Sequence, residues 1–227
     1  YGGHRLRARE AFNRRFYRAD RKFYDNNTQT ANALALSLGL APEKDRAAIG
    51  AHVMADIRRR EMHLSCGNQG YRHLFYALSD LGYTDELVRV LVNPAYPGWG
   101  YMAACGATTV WERWEREMQC EMHSFDHPMF GSYDGWLYEY LGGIRLAEDA
   151  FGANKILIAP KAVPSLSFVE SAVETVRGKI FSAWERRDGM CFYRVQIPGG
   201  TEAALEIEGL PRQTLGAGAY SFTVRNS

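Results

Sequence analysis

Two glutamates lie among aromatic residues at the end of the segment NPAYPGWGYMAACGATTVWERWE, which runs from Asn93 to Glu115. The segment holds three tryptophans and two prolines around Glu112 and Glu115. Trp and Tyr rings can cover the apolar side of a sugar ring, and a carboxylate beside them can act as an acid or a base. The residue types therefore favour chemistry on carbohydrate.

Glu112 also fits two purely structural interpretations. Thr109 and Glu112 have the spacing of a capping box, in which both side chains satisfy backbone N–H groups at a helix start. Glu112 and Arg116, four residues apart, can instead form a pair on a helix surface. Both interpretations place Glu112 in a helix, and Glu115 would then lie close to the same face as a supporting or surface residue.

The aromatic residues are candidates for stacking on sugar. Pro97, Gly98 and Gly100 flank Trp99 and predict that it lies on a loop, so Trp99 is the strongest candidate platform. Tyr101 and Trp111 are further candidate contacts, whereas Trp114 and Trp136 are expected to pack between helices. Because buried Trp usually belongs to a core, packing is the alternative for the whole set.

Polar candidates come from three other places. His127 can donate and accept hydrogen bonds to sugar hydroxyls, although a core histidine is the alternative. Asn68 lies in a polar loop that can line a cleft, and a helix cap explains it equally well. The residues Gln29, Thr30 and Asn32 stand at a helix start, and we interpret them as structural.

The elements that must position these residues change character near residue 150. Before it, apolar residues recur at helical spacing in Ile49/Val53/Ile57, Leu74/Leu78/Leu81, Leu87/Val90/Leu91 and Leu137/Leu141/Ile144. Gly39 after Leu38 and Gly82 after Leu81 predict helix ends, and short connections predict antiparallel helical hairpins. Residues 1–150 are therefore expected to be helical.

After residue 150 the pattern becomes that of strands. Lys155 to Pro160 is the predicted entry strand, Lys179 to Trp184 alternates, and Asp188 and Gly189 form a hairpin turn. The runs 192–197 and 203–207 continue as short strands. Residues 151–227 are therefore expected to form a small antiparallel β-sandwich.

Composition bounds the class of protein. The chain has 227 residues, 46% of them hydrophobic and 23% charged, with a formal net charge of +1. These values fit one large or two small globular domains, and the dispersed charge argues against a nucleic-acid surface. Neither a membrane-spanning run nor a signal-peptide core is evident, so a soluble protein, periplasmic or cytoplasmic in a bacterium, is expected.

The four cysteines do not suggest a metal site. Cys66, Cys105, Cys120 and Cys191 lack the Cys-x-x-Cys spacing of zinc and thioredoxin-like sites. We expect them to be reduced and mostly buried, because free Cys behaves as a small hydrophobic residue.

Five segments together resemble bacterial α-L-rhamnosidases of glycoside hydrolase family 78, and they occur in the family's order. They are QTANALALSLGL (29–40), GNQGYRHLFYALSDLGY (67–83), YPGWGYM (96–102), GATTVWERWE (106–115) and HSFDHPMFGSYDGWLYEYLGGI (123–144). The chain is similar to the C-terminal half of such an enzyme. The resemblance implies the later hairpins of an (α/α)6 toroid followed by a C-terminal β-domain, without metal or organic cofactor.

The resemblance also implies a mechanism and site roles. The family inverts the anomeric carbon, and the Glu of its Trp-Glu-x-Trp motif, here Glu112, is the general base. His127 matches a family histidine that contacts sugar hydroxyls, but Asp126 stands where the family usually has Asn. The implied substrate is a glycan or glycoside that ends in α-L-rhamnose.

The family's general acid belongs to an upstream Asp-rich motif of the type DCPQRDERLGW, which this sequence lacks. Since the chain opens at Tyr1 within a helical pattern, we expect a piece of a longer enzyme that carries half of an active site. The missing N-terminal part would then be its partner. A non-catalytic carbohydrate-binding fragment is the alternative from another class, and another (α/α)6 glycosidase or lyase is a further one.

Overall fold

The computed structural model describes residues 2–117 and 123–225. It contains two compact units, one ending at Tyr133 and the other beginning at Asp134. The elements of the first unit are α1 Gly2–Phe16, β1 Tyr17–Arg18, β2 Phe23–Tyr24, α2 Gln29–Ser37, a 3-10 turn Glu43–Asp45, α3 Arg46–Arg59, α4 Asn68–Asp80, α5 Thr84–Val92, α6 Trp99–Ala104 and a 3-10 turn Pro128–Phe130.

Helices α3, α4 and α5 confirm the helical spacing of the first unit. Each buries most of the predicted stripe, as Ile49 and Val53 in α3 and Leu74 in α4 illustrate, whereas Leu81 and Leu91 are half-buried. Helix α2 packs against α3 and α4. Gly39 and Gly82 follow the ends of α2 and α4 with positive φ, the conformation that glycine adopts at little cost.

The polar residues at the start of α2 have the structural roles that the sequence predicts. The buried Asn32 accepts a hydrogen bond from the Tyr24 backbone N–H at 2.8 Å. The buried Gln29 donates to Asp56 at 2.9 Å and accepts from the Ser65 backbone at 2.8 Å. These bonds satisfy polar groups inside the helical packing, as buried groups require.

Two helical predictions are wrong. Residues 107–117 are irregular, so neither the capping box at Thr109 and Glu112 nor a helix-surface pair is formed. The stripe from Leu137 to Ile144 is also not one helix, because a single π-helical turn ends at Leu141 and Ile144 begins a strand. Gly143 breaks that helix with φ +72°, and a Cβ there would lie 2.1 Å from the Pro160 nitrogen.

The second unit is mainly β-sheet. After the short helix α7 (Tyr133–Trp136) and the π-helical turn, its strands are β3 Ile144–Leu146, β4 Lys155–Ile158, β5 Phe168–Thr175, β6 Gly178–Arg187, β7 Met190–Ile197, β8 Glu202–Leu205, β9 Gln213–Leu215 and β10 Gly218–Arg225. One sheet has the order β10-β7-β6-β5 and the other β3-β4-β8-β9. Helices followed by antiparallel sheets confirm the predicted fold class.

The strand predictions hold with two differences. Asp188 and Gly189 connect β6 to β7 as a two-residue turn with positive φ at both positions, as predicted. The predicted entry strand is β4, but β3 precedes it and pairs with it. Strands β4 and β8 are parallel, whereas the sequence predicted only antiparallel pairs.

Three of the four cysteines lie among the described residues. Cys66 and Cys191 are buried, Cys105 is half-buried, and all three are free thiols, as predicted. Cys120 lies outside the described residues. Among the residues that are described, no three His, Cys, Asp or Glu side chains group to hold a metal ion. In the same residues, no helix combines the length and apolar character needed to cross a membrane.

Candidate active site

Two irregular segments of the helical unit, 109–112 and 124–127, are hydrogen-bonded to each other. The Glu112 backbone N–H donates to the Ser124 carbonyl at 2.9 Å, and the His127 N–H donates to the Val110 carbonyl at 2.8 Å. The Thr109 hydroxyl donates to the Phe125 carbonyl. This pairing places the predicted base Glu112 and the predicted sugar contact His127 on neighbouring segments.

The carboxylate of Glu112 is held by the same pairing. Its Oε2 accepts a hydrogen bond from the Ser124 backbone N–H at 2.9 Å, and the side chain is half-buried. A backbone donor fixes the orientation of a carboxylate without neutralising it. Glu112 is therefore oriented and accessible, as a group that exchanges a proton with water must be.

His127 has one ring nitrogen engaged and begins the 3-10 turn Pro128–Phe130. Its Nδ1 accepts a hydrogen bond from the Met129 backbone N–H at 3.2 Å. A nitrogen that accepts carries no proton, so the neutral ring has its proton on Nε2. The half-buried His127 thus offers an Nε2–H donor to an acceptor such as a hydroxyl oxygen.

Trp99 does not lie on a loop, and that prediction is wrong. It begins α6, is 6% exposed, and donates Nε1–H to the Phe130 carbonyl at 2.9 Å. Its ring belongs to an aromatic cluster formed by Tyr71, Phe75, Trp99, Trp114, Phe130 and Tyr133. The Trp114 ring lies edge-on to Trp99, with 4.9 Å between centroids, and against Phe130, with 3.9 Å between centroids. Trp114 is therefore packed against other rings, but these come from a turn as well as from a helix, whereas the sequence predicted packing between helices.

The other aromatic candidates differ in exposure. Trp111 is buried, 5% exposed, and lies edge-on to Phe125 at 5.2 Å and to Tyr101 at 6.4 Å. Tyr101 projects from α6 and is half-buried. Trp111 therefore supports the segment that carries Glu112, while Tyr101 retains accessible surface.

Asn68 is joined to the segment that follows His127. Its Nδ2 lies 3.1 Å from the Met129 sulfur, and the nearby Tyr71 hydroxyl accepts from the Ser132 backbone N–H at 2.7 Å. The N-cap of α4 is Gly67 rather than Asn68, so the capping interpretation of Asn68 is wrong. Helix α4 thus anchors the turn that presents His127.

Two residues that hold the glutamates in place were not identified as site residues from the sequence. Ser124 acts through its backbone amide on Glu112, and any residue other than proline has such an amide. Tyr96 donates its hydroxyl to Glu115 Oε1 at 3.0 Å. The aromatic density around the glutamates was the only available indication of that contact.

Comparison with known proteins assigns both units. The model of the bacterial α-L-rhamnosidase six-hairpin glycosidase domain matches residues 1–141, and that of the bacterial α-L-rhamnosidase C-terminal domain matches residues 143–220. The α-L-rhamnosidase of Streptomyces avermitilis is 31% identical over 207 residues, which cover 88% of this chain and 20% of that protein. One from Formosa agariphila is 29% identical over 220 residues, covering 94% and 24%.

Solved structures agree with this assignment. The S. avermitilis α-L-rhamnosidase complexed with L-rhamnose has a TM-score of 0.88 at 29% identity, covering 97% of this chain and 24% of that one. The α-L-rhamnosidase of Dictyoglumus thermophilum gives 0.87 at 28% identity, covering 96% and 28%. The chain spans about a fifth to a quarter of the curated relatives it matches. It belongs to the bacterial α-L-rhamnosidase family.

Proposed function

We propose that the full-length protein hydrolyses terminal non-reducing α-L-rhamnose from glycans or glycosides, with Glu112 of this chain as general base. The observation that carries the proposal is the Glu112 carboxylate, oriented by the Ser124 amide on a segment paired with that of His127. The relatives are named α-L-rhamnosidases, and one was solved with L-rhamnose. Family and geometry thus favour the same residue.

The proposed reaction inverts the anomeric carbon. Glu112 removes a proton from a water molecule while the water oxygen bonds to C1 of rhamnose. The C1–O glycosidic bond breaks, and a second carboxyl group protonates the departing oxygen, so β-L-rhamnose is released first. An inverting pair stands about 6.5–9.5 Å apart to leave room for the water. Glu115 lies only three residues from Glu112, and its carboxylate accepts from Tyr96, so we do not assign it the acid role.

We propose that the acid comes from a part of the full-length polypeptide outside this chain. The sequence lacks the Asp-rich motif that the family uses, and the chain spans only 20–24% of the curated relatives. The chain alone is then expected to bind sugar weakly and to release no rhamnose. The active site would then be divided between this chain and the part of the polypeptide that carries the acid.

His127 is assigned to substrate binding in this proposal. Its Nε2–H would donate to a rhamnose hydroxyl, since Nδ1 is occupied by the Met129 amide. Asp126, which replaces the usual Asn, is exposed, and its N–H is bound by the Ser124 hydroxyl at 3.1 Å. Asp126 thus helps to shape the turn between Ser124 and His127.

The test is rhamnose release from an aryl α-L-rhamnoside by a polypeptide extended upstream to the length of the relatives. Glu112→Gln should lower kcat by about 10²–10⁴-fold, the usual contribution of a general base. Glu43→Gln is the matched control, because the Glu43 side chain is 93% exposed. NMR of the first-formed sugar should show the β-anomer. Normal turnover by Glu112→Gln would contradict the assignment of the base.

A further inference from the structure

A cleft of about 370 Å³ adjoins the segment that carries Glu112. Its lining consists of Tyr96, Tyr101, Cys105, Glu115, Arg116 and Glu117. We propose that this cleft, here called the Tyr96 cleft, binds a neutral sugar unit of the substrate other than the rhamnose that is released. The link to catalysis rests on the proposed function, while binding of sugar in the cleft can be measured separately.

Aromatic side chains connect the Tyr96 cleft to the proposed base. Tyr96 is 50% exposed and lies edge-on to Tyr101, with 5.4 Å between ring centroids. Tyr101 in turn lies edge-on to Trp111, the residue before Glu112, at 6.4 Å. An exposed tyrosine ring gives a sugar both an apolar surface and a hydroxyl. These ring contacts join the Tyr96 cleft to the segment that carries Glu112.

Polar groups in the cleft are prearranged for hydroxyl ligands. The Tyr96 hydroxyl donates to Glu115 Oε1 at 3.0 Å, which fixes both side chains. Burial, together with this bond to Glu115, raises the pKa of Tyr96, so the phenol stays protonated at neutral pH. A carboxylate has about four lone-pair sites, so Glu115 can accept from sugar hydroxyls while it holds Tyr96.

The charge of the cleft selects the class of sugar. Glu115 and Glu117 contribute two negative charges and Arg116 one positive charge, so the sum is −1. A uronate would be repelled by this excess, because like charges at close range disfavour each other. A neutral hexose or deoxyhexose has hydroxyls for the carboxylates and the guanidinium without that repulsion.

The size of the cleft suits about one sugar ring. Small-molecule sites usually enclose about 300–1,000 Å³, and 370 Å³ lies at the low end of that range. The Tyr96 ring in the lining is also 50% exposed. A longer glycan would extend from the cleft into solvent.

The experiment compares two substrates in the extended polypeptide, an aryl α-L-rhamnoside and a rhamnosyl-glucoside. Glu115→Gln should lower the ratio of kcat/KM for the disaccharide to that for the aryl substrate by about tenfold, because a charged acceptor is lost. Tyr96→Phe should lower the same ratio less, since the ring remains. Glu43→Gln is the control and should leave the ratio unchanged. Ratios within twofold of the unmodified enzyme in both cleft variants would overturn the proposal.

A binding measurement separates this proposal from the proposed function. Methyl α-D-glucoside is titrated by NMR into the Glu112→Gln protein with and without Glu115→Gln, so that no turnover is required. The proposal predicts affinity about tenfold weaker in the double variant and weaker binding of methyl glucuronide than of the glucoside. Equal affinity of both proteins for the glucoside contradicts the cleft. Absence of rhamnose release from either substrate contradicts the proposed function alone.

Discussion

Two buried tryptophans, one in each unit, make similar hydrogen bonds but are positioned by different kinds of structure. Trp99 donates Nε1–H to the Phe130 carbonyl at 2.9 Å, and Trp184 donates to the Leu141 carbonyl at 2.8 Å. Trp184 stands in the regular strand β6, where its register partners are Val169 and Tyr193. Trp99 starts a six-residue helix and is enclosed by rings from α4 as well as from an irregular segment and a turn. In the sheet, the regular register of the strands decides where a residue such as Trp184 lies. In the candidate site, contacts among helices, turns and irregular segments decide where Trp99 lies.

Replacing each tryptophan with alanine tests this difference. We expect Trp99→Ala and Trp184→Ala each to lower the free energy of unfolding by about 3–5 kcal/mol, because both remove a large buried ring. Below both thermal transitions, only Trp99→Ala should also reduce rhamnose release, since it loosens the turn next to His127. Calorimetry and low-temperature kinetics provide the two measurements. Equal loss of activity in both folded variants would show that Trp99 has no closer link to the candidate site than Trp184 has.

Removing the His127 ring tests whether the irregular turn presents a ligand contact. His127→Leu should lower kcat/KM for an aryl rhamnoside by about tenfold, mainly through KM, because one hydrogen bond to a hydroxyl is lost. His4→Leu is the control, since His4 is exposed on α1. Unchanged KM in His127→Leu would show that His127 does not contact the substrate.

Cysteine alkylation distinguishes packed positions from the accessible cleft. Burial raises the pKa of the Cys66 thiol to about 12 and also raises that of Cys191. Because the thiolate is the reactive form, iodoacetamide at pH 8 should modify the half-buried Cys105 well before either of them. Peptide mapping after short exposure gives the order. Modification of Cys66 at the rate of Cys105 in the folded protein would contradict the burial of Cys66.

Regular elements could be predicted because their signals are local. The β-rich run from Lys179 to Trp184 and the turn at Asp188 and Gly189 specify β6, its turn and β7, although Ser182, Ala183 and Trp184 are all buried rather than alternating. The parallel pairing of β4 with β8 could not be predicted, because it joins strands distant in sequence and no local pattern encodes it.

The candidate site rests on residue type and resemblance, and its geometry could not be predicted from the sequence. Thr109 and Glu112 have capping-box spacing, but Glu112 binds the Ser124 amide, and the Thr109 hydroxyl donates to the Phe125 carbonyl. Almost every residue has a backbone N–H and carbonyl, so a hydrogen bond to the backbone of another segment cannot be predicted from residue types. The flanking glycines of Trp99 indicated a loop, yet Gly100 lies within α6, where a Cβ would be 2.3 Å from the Asn93 carbonyl oxygen. Glycine there permits close packing rather than a loop.

The most direct test of the account is azide rescue of Glu112→Ala in the extended polypeptide. Removing the base should abolish hydrolysis of an aryl α-L-rhamnoside, while azide, which needs no deprotonation, can attack C1 in place of water. If Glu112 is the base, azide should restore release of the phenol and form β-L-rhamnosyl azide, identified by NMR. An α-configured azide, or full hydrolysis by Glu112→Ala without azide, would contradict Glu112 as the base of an inverting enzyme.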